Sequence, residues 1–213
     1  MVILGLTGSI GMGKSTAAAM LRRLGVPVHD ADAAVHRLLG RNGAAVPKVA
    51  AAFPGTAGPD GIDRAVLGRR VFGDTAALRR LEGILHPMVR AETARFLRRM
   101  RARGAALVVL DIPLLFETGG EERCDAILVV SAPGFLQRAR VLARPGMDAS
   151  RFAAIRAKQM PDSEKRLRAD FVVPTGLGRR ETLRRLAGIV RLASVEHPRM
   201  ARRKRHARDR ARY

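Results

Sequence analysis

The chain of 213 residues has no tryptophan, one tyrosine and one cysteine, and its apolar runs are short. A single cysteine, Cys124, excludes an intramolecular disulfide, and no Cys/His spacing resembles a zinc site. Asn42 is the only asparagine, so the N-K-x-D motif with which GTPases read guanine is missing. No run is long enough for a membrane span, and no basic segment precedes the first apolar run as in an export signal. We therefore expect a cytoplasmic protein.

Acidic residues are scarce, since 19 Asp and Glu stand against 40 Lys and Arg, a net charge of +21. The segment 200–213 alone holds seven basic residues and one acid. A basic surface attracts polyanions, which include phosphorylated small molecules and nucleic acids. The compositional bias of a GC-rich genome would give the same excess of arginine, and one sequence does not separate the two explanations. We expect segment 200–213 to be a disordered, solubilising tail; polyanion binding by it is the alternative.

The first sixteen residues carry the clearest chemical signal. An apolar run at 2–6 leads into Gly8-Ser9-Ile10-Gly11-Met12-Gly13-Lys14-Ser15, which matches G-x-x-x-x-G-K-S, and a helix-forming segment follows. Strand, glycine loop and helix in this order are typical of a phosphate-binding loop. Gly8, Gly11 and Gly13 can adopt positive φ, so that N–H groups at the helix N-terminus can surround an anion. In such a loop the lysine reaches the β- and γ-phosphates and the serine hydroxyl ligates Mg²⁺.

Strands and helices alternate along the rest of the chain. Continuous apolar runs at 106–110 and 126–130 are typical of strands buried on both faces. This alternation predicts an α/β fold, a parallel sheet covered by helices on both faces. The length suits one domain over residues 1–199, followed by the tail.

Two regions of the chain are assigned from turn signals. Residues 41–61 contain Phe53-Pro54-Gly55 and Gly58-Pro59-Asp60-Gly61, which predict loop. Further on, His86-Pro87 predicts a break between a helix at 75–85 and another at 88–103, with Pro87 at the start of the second.

Three acids are expected at the edge of the sheet that holds the phosphate loop. Asp30 and Asp32 follow the second strand, and Asp111 ends the next long one. Ligands of such sheets bind outside the carboxyl ends of the strands. Phosphoryl transfer to an alcohol needs a group that accepts the hydroxyl proton, and either Asp30 or Asp32 fits. The alternative for Asp32 is a helix N-cap, and for Asp111 a structural acid at a strand end.

Arginines cluster between the last two core elements, at Arg138, Arg140, Arg144 and Arg151. Arginines in this place stabilise the charge of a transferring phosphoryl group. The alternative, a solvated helix face, is strong for any single member of so Arg-rich a chain. The motifs H-R-D and D-F-G are absent, which excludes a protein kinase.

Together these residues resemble one family, dephospho-CoA kinase. The resemblance covers the chain to about residue 193. It rests on the segments 6–16 (LTGSIGMGKST), 30–32 (DAD), 85–87 (LHP) and 111–117 (DIPLLFE), on Gln137, Arg140 and Arg144 in the spacing Q-x-x-R-x-x-x-R, and on Gln159 and 169–172 (ADFV).

The resemblance implies a P-loop kinase that phosphorylates the ribose 3′-hydroxyl of dephospho-CoA with ATP, the last step of coenzyme A synthesis. It implies that Asp32 is the base, that Lys14 and Arg140 stabilise the transferred group, and that Ser15 holds Mg²⁺. It also implies a helical acceptor-binding insertion at about 33–103 and a lid at about 144–165.

Binding residues follow from the same resemblance. Expected ATP contacts are Gly8, Ile10, Gly11, Met12, Gly13, Lys14, Ser15, Thr16 and Arg144. Expected acceptor contacts are Thr7, Asp30, Asp32, Arg64, His86, Asp111, Pro113 and Leu114. The chain departs from the family where many members have Asn-x-Gly or Asn-Gly, since it reads Pro174-Thr175-Gly176. An asparagine contact to the nucleotide is missing there.

The expected partners are therefore ATP and dephospho-CoA, with no membrane and no nucleic acid, in a monomer or weak homo-oligomer. A kinase of another small metabolite or nucleotide is one alternative. A nucleic-acid-binding ATPase is another, ranked low because no nucleic-acid-binding motif is visible and aromatics for base stacking are few.

Overall fold

A computed structural model describes residues 1–195, which form two compact units. The first unit comprises Met1–His29 and the described residues from 100 to 195, and the second comprises Asp30–Arg99. The basic tail at 200–213 lies outside the described residues. Among residues 1–195, no helix combines the length and apolarity needed to span a bilayer.

The first unit is built on a five-stranded sheet. Its strands are β1 (Val2–Thr7), β2 (Val28–Asp30), β5 (Leu107–Asp111), β6 (Ala126–Ser131) and β7 (Phe171–Pro174). Their order is β2-β5-β1-β6-β7, with β1 parallel to β5 and β6, and β6 parallel to β7. Every residue of β1, β5 and β6 is buried, as expected for strands covered on both faces. The predicted parallel sheet is confirmed.

Five helices and a 3-10 turn belong to this unit. They are α1 (Lys14–Arg23), α6 (Gly134–Leu142), α7 (Ala149–Ala157), α8 (Asp162–Leu167), α9 (Arg179–Val195) and the turn Gly120–Arg123. Leu21 of α1 and Leu186 of α9 join Leu4, Leu6 and Leu128 of the sheet in one aliphatic core. Because the core uses small branched side chains rather than rings, the scarcity of aromatic residues does not prevent close packing.

The second unit is mainly helical. It holds α2 (Ala31–Leu39), α3 (Val46–Ala52), α4 (Arg64–Val71), most of α5 (Thr75–Ala102) and the hairpin of β3 (Ala57–Gly58) with β4 (Gly61–Ile62). Its own core includes Leu38, Val49, Phe53, Leu67 and Leu85.

Residues 41–61 are more ordered than their loop signals predict. They contain α3 and the β3–β4 hairpin, so a purely loop assignment is wrong. Proline at the start of α3 is compatible with a helix, since the first N–H groups of a helix have no intrahelical acceptor. Burial of Val49 and Phe53 then stabilises a helix too short to be stable alone.

The predicted helix break at His86-Pro87 is also wrong, because α5 continues through Pro87 as one helix of 28 residues. Proline removes the hydrogen bond that residue 87 would donate to the carbonyl of Gly83. Leu81, Leu85 and Val89 extend one apolar face across the proline and pack into the core of the second unit. Tertiary packing therefore outweighs the local preference for a break.

Substituting Pro87 by alanine is expected to stabilise the second unit. Alanine restores the N–H donor to Gly83, and proline in a helix interior costs up to about 3 kcal/mol relative to alanine. Urea unfolding followed by circular dichroism measures the change. Ala94→Gly at an exposed position of the same helix is the control and should cost about 1 kcal/mol. A loss of stability in Pro87→Ala would show that the proline shapes α5 rather than straining it.

Candidate active site

The phosphate loop, residues 8–15, connects β1 to α1 along the carboxyl edge of the sheet. Gly11 and Gly13 have positive φ, of 78° and 88°, and Gly13 is the N-cap of α1. Gly8 is not one of the glycines with positive φ in the described part of the chain. A glycine is required at position 8 because there is no room for a side chain: a Cβ would lie 2.6 Å from Cγ2 of Val130.

The loop packs tightly on one side and is open on the other. Met12 is buried, and its Sδ accepts a hydrogen bond from the backbone N–H of Ala132 at 3.0 Å. Ser15 and Thr16 are exposed on the first turn of α1. The positive end of the helix dipole and the free N–H groups of that turn favour an anion there.

Lys14 is paired with the acid at the end of β5. Its Nζ lies 2.6 Å from Oδ1 of Asp111, and the Asp111 side chain is only 3% exposed. The pairing follows from the sheet order, because β5 is next to β1 and Asp111 is in register with Leu6. Asp111 therefore lies at the same edge of the sheet as the phosphate loop, as its position after a buried strand predicts, and its contact with Lys14 is a finding of the structure.

Three other expected acceptor contacts lie in the same unit. Thr7, at the end of β1, is buried and donates its hydroxyl hydrogen to the carbonyl oxygen of Pro113 at 2.9 Å. Leu114 is the next residue, and its side chain is 40% exposed. The segment that follows Asp111 is thus fixed to the edge of β1 beside the phosphate loop.

Arg140 is the arginine of its cluster that binds the phosphate loop. Its Nη1 donates to Oγ1 of Thr175 at 3.0 Å and to the carbonyl of Gly11 at 3.4 Å, and its Nη2 donates to the carbonyl of Thr175 at 2.9 Å. Arg138, Arg144 and Arg151 are exposed.

Thr175 is a site residue that sequence reasoning did not assign. Its buried hydroxyl donates to the carbonyl of Met12 at 2.8 Å while accepting from Arg140, so it connects the arginine to the loop. A Cβ at Gly13 would lie 3.1 Å from this hydroxyl. The available signal was its position directly after β7, at the carboxyl edge of the sheet.

The second unit holds the other expected acceptor residues. The Asp30 carboxylate accepts from the N–H of Ala33 at 2.9 Å and is the N-cap of α2. The capping alternative therefore applies to Asp30 and not to Asp32. Asp32 is exposed in the first turn. One turn further along α2, Nδ1 of His36 lies 3.0 Å from Nη1 of Arg64. His86 is exposed on α5.

A network of polar side chains, one of them fully buried, contacts the phosphate loop. Lys165 of α8 is completely buried, and its Nζ lies 2.8 Å from Oε1 of Glu117. The same oxygen accepts the N–H of Met160 at 2.9 Å. The carbonyl oxygen of the Gln159 side chain accepts the N–H of Ile10 in the loop at 3.0 Å. Sequence reasoning gave none of these contacts, because each joins residues more than forty positions apart.

The pKa of Glu117 reflects these contacts. Burial by itself raises the pKa of the carboxyl, but the Lys165 ammonium and the backbone N–H donors outweigh burial and hold the pKa below its usual value of 4.5. Glu117 is therefore ionised at neutral pH and compensates the charge of Lys165.

Comparison with known proteins identifies relatives over most of the chain. The family model for dephospho-CoA kinase (CoaE) matches residues 2–177. The dephospho-CoA kinase of Rhodospirillum rubrum is 62% identical over 193 residues, which cover 90% of this chain and 92% of that protein. The dephospho-CoA kinase of Paramagnetospirillum magneticum is 68% identical over 166 residues, 78% of each chain.

Solved structures agree on the fold. The crystal structure of TT1252 from Thermus thermophilus is 41% identical with a TM-score of 0.80 and covers 91% of this chain and 97% of that one. The dephospho-CoA kinase from Campylobacter jejuni is 22% identical, with a TM-score of 0.63. The match covers 90% of this chain and 96% of that one. At this identity the likeness concerns the fold alone. The chain belongs to the dephospho-CoA kinase family, and the family predicted from its motifs is confirmed.

Loss of the Thr175 hydroxyl is expected to destabilise the first unit. Thr175→Val keeps the shape of the side chain but removes the hydroxyl that donates to the Met12 carbonyl, at about 1–3 kcal/mol. Arg140 loses one acceptor and keeps the carbonyls of Gly11 and Thr175. Urea unfolding followed by circular dichroism measures the loss. Thr175→Ser retains the hydroxyl and should recover most of it. Thr118→Val, at an exposed hydroxyl that donates to the carbonyl of Leu114, is the matched control. Equal stabilities of Thr175→Val and wild type would contradict the role of this hydroxyl.

Removal of the Lys165 charge is expected to destabilise the first unit more than loss of the Thr175 hydroxyl does. Lys165→Met leaves the half-buried Glu117 carboxylate without its cation. Breaking a buried pair costs up to about 3–5 kcal/mol in unfolding free energy, and the partial exposure of Glu117 lowers this cost. The double variant Lys165→Met/Glu117→Gln should recover part of the loss, because no charge then remains unpaired.

The pH dependence tests the same pair independently. The pKa of Glu117 is lowered in the folded state, so its contribution is complete above the unfolded value of 4.5 and is lost as the pH falls through the folded pKa. The difference in stability between wild type and Lys165→Met should therefore shrink in acid. A difference that stays constant down to the acid transition would show that the ion pair is not its source.

Proposed function

We propose that this member of the dephospho-CoA kinase family transfers the γ-phosphoryl group of ATP to the ribose 3′-hydroxyl of dephospho-CoA, the last step of coenzyme A synthesis. The observation that carries the proposal is the family match over residues 2–177 in a chain whose phosphate loop, Lys14 and Asp111 meet at one edge of the sheet. Its single cysteine, Cys124, is buried and forms no disulfide, which is compatible with a reducing compartment, and we place the reaction in the cytoplasm.

Nucleotide binding is assigned to the phosphate loop and the first turn of α1. Left-handed Gly11 and Gly13 direct the backbone around an anion, and the exposed Ser15 and Thr16 lie at the positive end of the helix. Lys14 is already desolvated against Asp111, and in the nucleotide complex its ammonium would contact the β- and γ-phosphates.

A divalent cation, Mg²⁺ in this proposal, fits the oxygen donors of the same place. Ser15 has an exposed hydroxyl at the start of α1, and Asp111 has a carboxylate at the end of the adjoining strand. Hydroxyl, carboxylate and phosphate oxygens are the ligands that Mg²⁺ prefers. When bound, the cation would neutralise charge on the β- and γ-phosphate oxygens.

Asp32 is assigned as the base. Its carboxylate would take the proton of the 3′-hydroxyl while that oxygen forms a bond to the γ-phosphorus, and the bond between phosphorus and the β,γ-bridging oxygen breaks as ADP leaves. Support comes from the helix terminus, where Asp30 supplies the capping interaction and the Asp32 carboxylate is exposed. Arg140, held at the Gly11 carbonyl, would stabilise charge on the transferring group.

The two peripheral regions have separate roles in this proposal. In the second unit, acceptor binding is assigned to Arg64 and His86, two basic side chains within the predicted insertion at about 33–103. The segment 144–165 would be the lid that excludes water from the reaction, so that ATP is transferred rather than hydrolysed.

The decisive assay follows ATP consumption with Mg²⁺, with and without dephospho-CoA, and identifies the product by mass. A product heavier than dephospho-CoA by one phosphoryl group, formed only with the acceptor, is expected. A panel of other nucleotides and small alcohols in the same assay tests the substrate. Turnover of another acceptor in preference to dephospho-CoA, or ATP hydrolysis stimulated by RNA, would overturn the proposal.

Asp32→Asn is expected to lower kcat by about 10²–10⁴-fold, the usual contribution of a general base. The affinity for ATP, measured by calorimetry, should stay unchanged, since asparagine retains the shape of the side chain. Asp60→Asn, at an exposed acid of the β3–β4 hairpin, is the control and should turn over normally. Near-normal turnover of Asp32→Asn would exclude it as the base.

A further inference from the structure

Two glutamine side chains bind the backbone N–H and the backbone carbonyl of Ile10, a residue of the phosphate loop. The backbone N–H of Ile10 donates to Oε1 of Gln159 at 3.0 Å. On the other side, Nε2 of Gln137 donates to the carbonyl oxygen of Ile10 at 2.8 Å. Gln137 belongs to α6 and is buried, while Gln159 lies between α7 and α8. Both polar groups of this loop residue therefore have partners from distant parts of the chain.

Gln159 is itself held in place by the residue that follows it. The N–H of Met160 donates to Oε1 of Glu117 at 2.9 Å, and the fully buried Lys165 lies 2.8 Å from the same oxygen. Glu117 is in the segment that follows β5 and Asp111. Because this contact fixes the backbone at residue 160, the side-chain oxygen Oε1 of Gln159 reaches the phosphate loop from a defined position.

The chemistry of the side chain fits a site that takes an anion. An amide oxygen accepts a hydrogen bond without a net charge. A carboxylate at the same place would accept the same bond but would repel phosphate groups bound to the loop. Glutamine thus supplies the acceptor that orients the Ile10 peptide and leaves the loop electrostatically favourable for phosphate.

We propose that Gln159 is a positioning residue for the phosphate loop, acting through the Ile10 peptide, and that it sets the affinity for nucleotide rather than the rate of transfer. The kinetic part rests on the proposed function. The structural part concerns the free protein and is tested without any substrate.

The test uses Gln159→Leu, which keeps approximate size and removes the acceptor. Amide hydrogen exchange of Ile10 in the free protein is expected to become about tenfold faster, because the N–H loses its partner. The Kd and the KM for ATP should rise about tenfold, equivalent to about 1.4 kcal/mol. An unchanged kcat and an unchanged KM for dephospho-CoA would identify the loss as nucleotide binding alone.

A rescue variant and a control separate this role from general stability. Gln159→Glu retains an acceptor oxygen and should restore slow exchange at Ile10, although its charge should still weaken ATP binding. Arg166→Gln, an exposed neighbour on α8, should leave both measurements as in wild type.

Three results would overturn the proposal. The first is an Ile10 exchange rate in Gln159→Leu equal to that of wild type, and the second is an exchange rate in Gln159→Glu as fast as in Gln159→Leu. The third is an equal loss of affinity for ATP and for the acceptor in Gln159→Leu, together with a lowered Tm. The last would reduce Gln159 to a structural residue. If wild type fails to phosphorylate dephospho-CoA, the proposed function fails, but the exchange rates and the Kd for ATP still decide the role of Gln159.

Discussion

The close packing of the phosphate loop against its neighbours is the constraint on which the rest of the site depends. Side chains at Gly8 and Gly11 would each come within 2.6 Å of a valine methyl, from Val130 of β6 and Val141 of α6. At Gly13 the neighbour is Thr175. Because three neighbouring elements approach the loop this closely, only glycine fits at these positions, and the glycines let the loop lead into α1 with the N–H groups of its first turn open to an anion.

Two ion pairs tie this loop and its surroundings to one segment of chain. Asp111 pairs with Lys14, and six residues later Glu117 pairs with the buried Lys165. The segment from 111 to 117 therefore connects the lysine assigned to phosphate binding with the region that presents Gln159. Each pair has one buried member, Asp111 in the first and Lys165 in the second, so loss of its partner leaves a buried charge. The two ion pairs therefore serve both the stability of the first unit and the placement of Lys14, the lysine assigned to phosphate binding.

Local signals located some residues well and misassigned others. The glycine loop and the buried strands were predictable, because G-x-x-x-x-G-K-S and continuous apolar runs each have one common structural solution. Pro87 misled, since its local preference for a break is weaker than the burial of Leu81, Leu85 and Val89 along a continuous face. The cap of α2 is Asp30, two residues before Asp32, for which the sequence had allowed that role, because helix ends shift by a residue or two with packing that periodicity does not reveal.

By itself, the sequence determined the fold class, the phosphate loop and the family, since these depend on short-range patterns and on motifs read in order. Tertiary structure decided which groups meet. Thr175 with Arg140 and Met12, Gln159 with Ile10, and Lys165 with Glu117 are all pairs distant along the chain. Their hydrogen bonds depend on angles and separations within a few tenths of an ångström, which the packing of the sheet and helices establishes and no local pattern encodes.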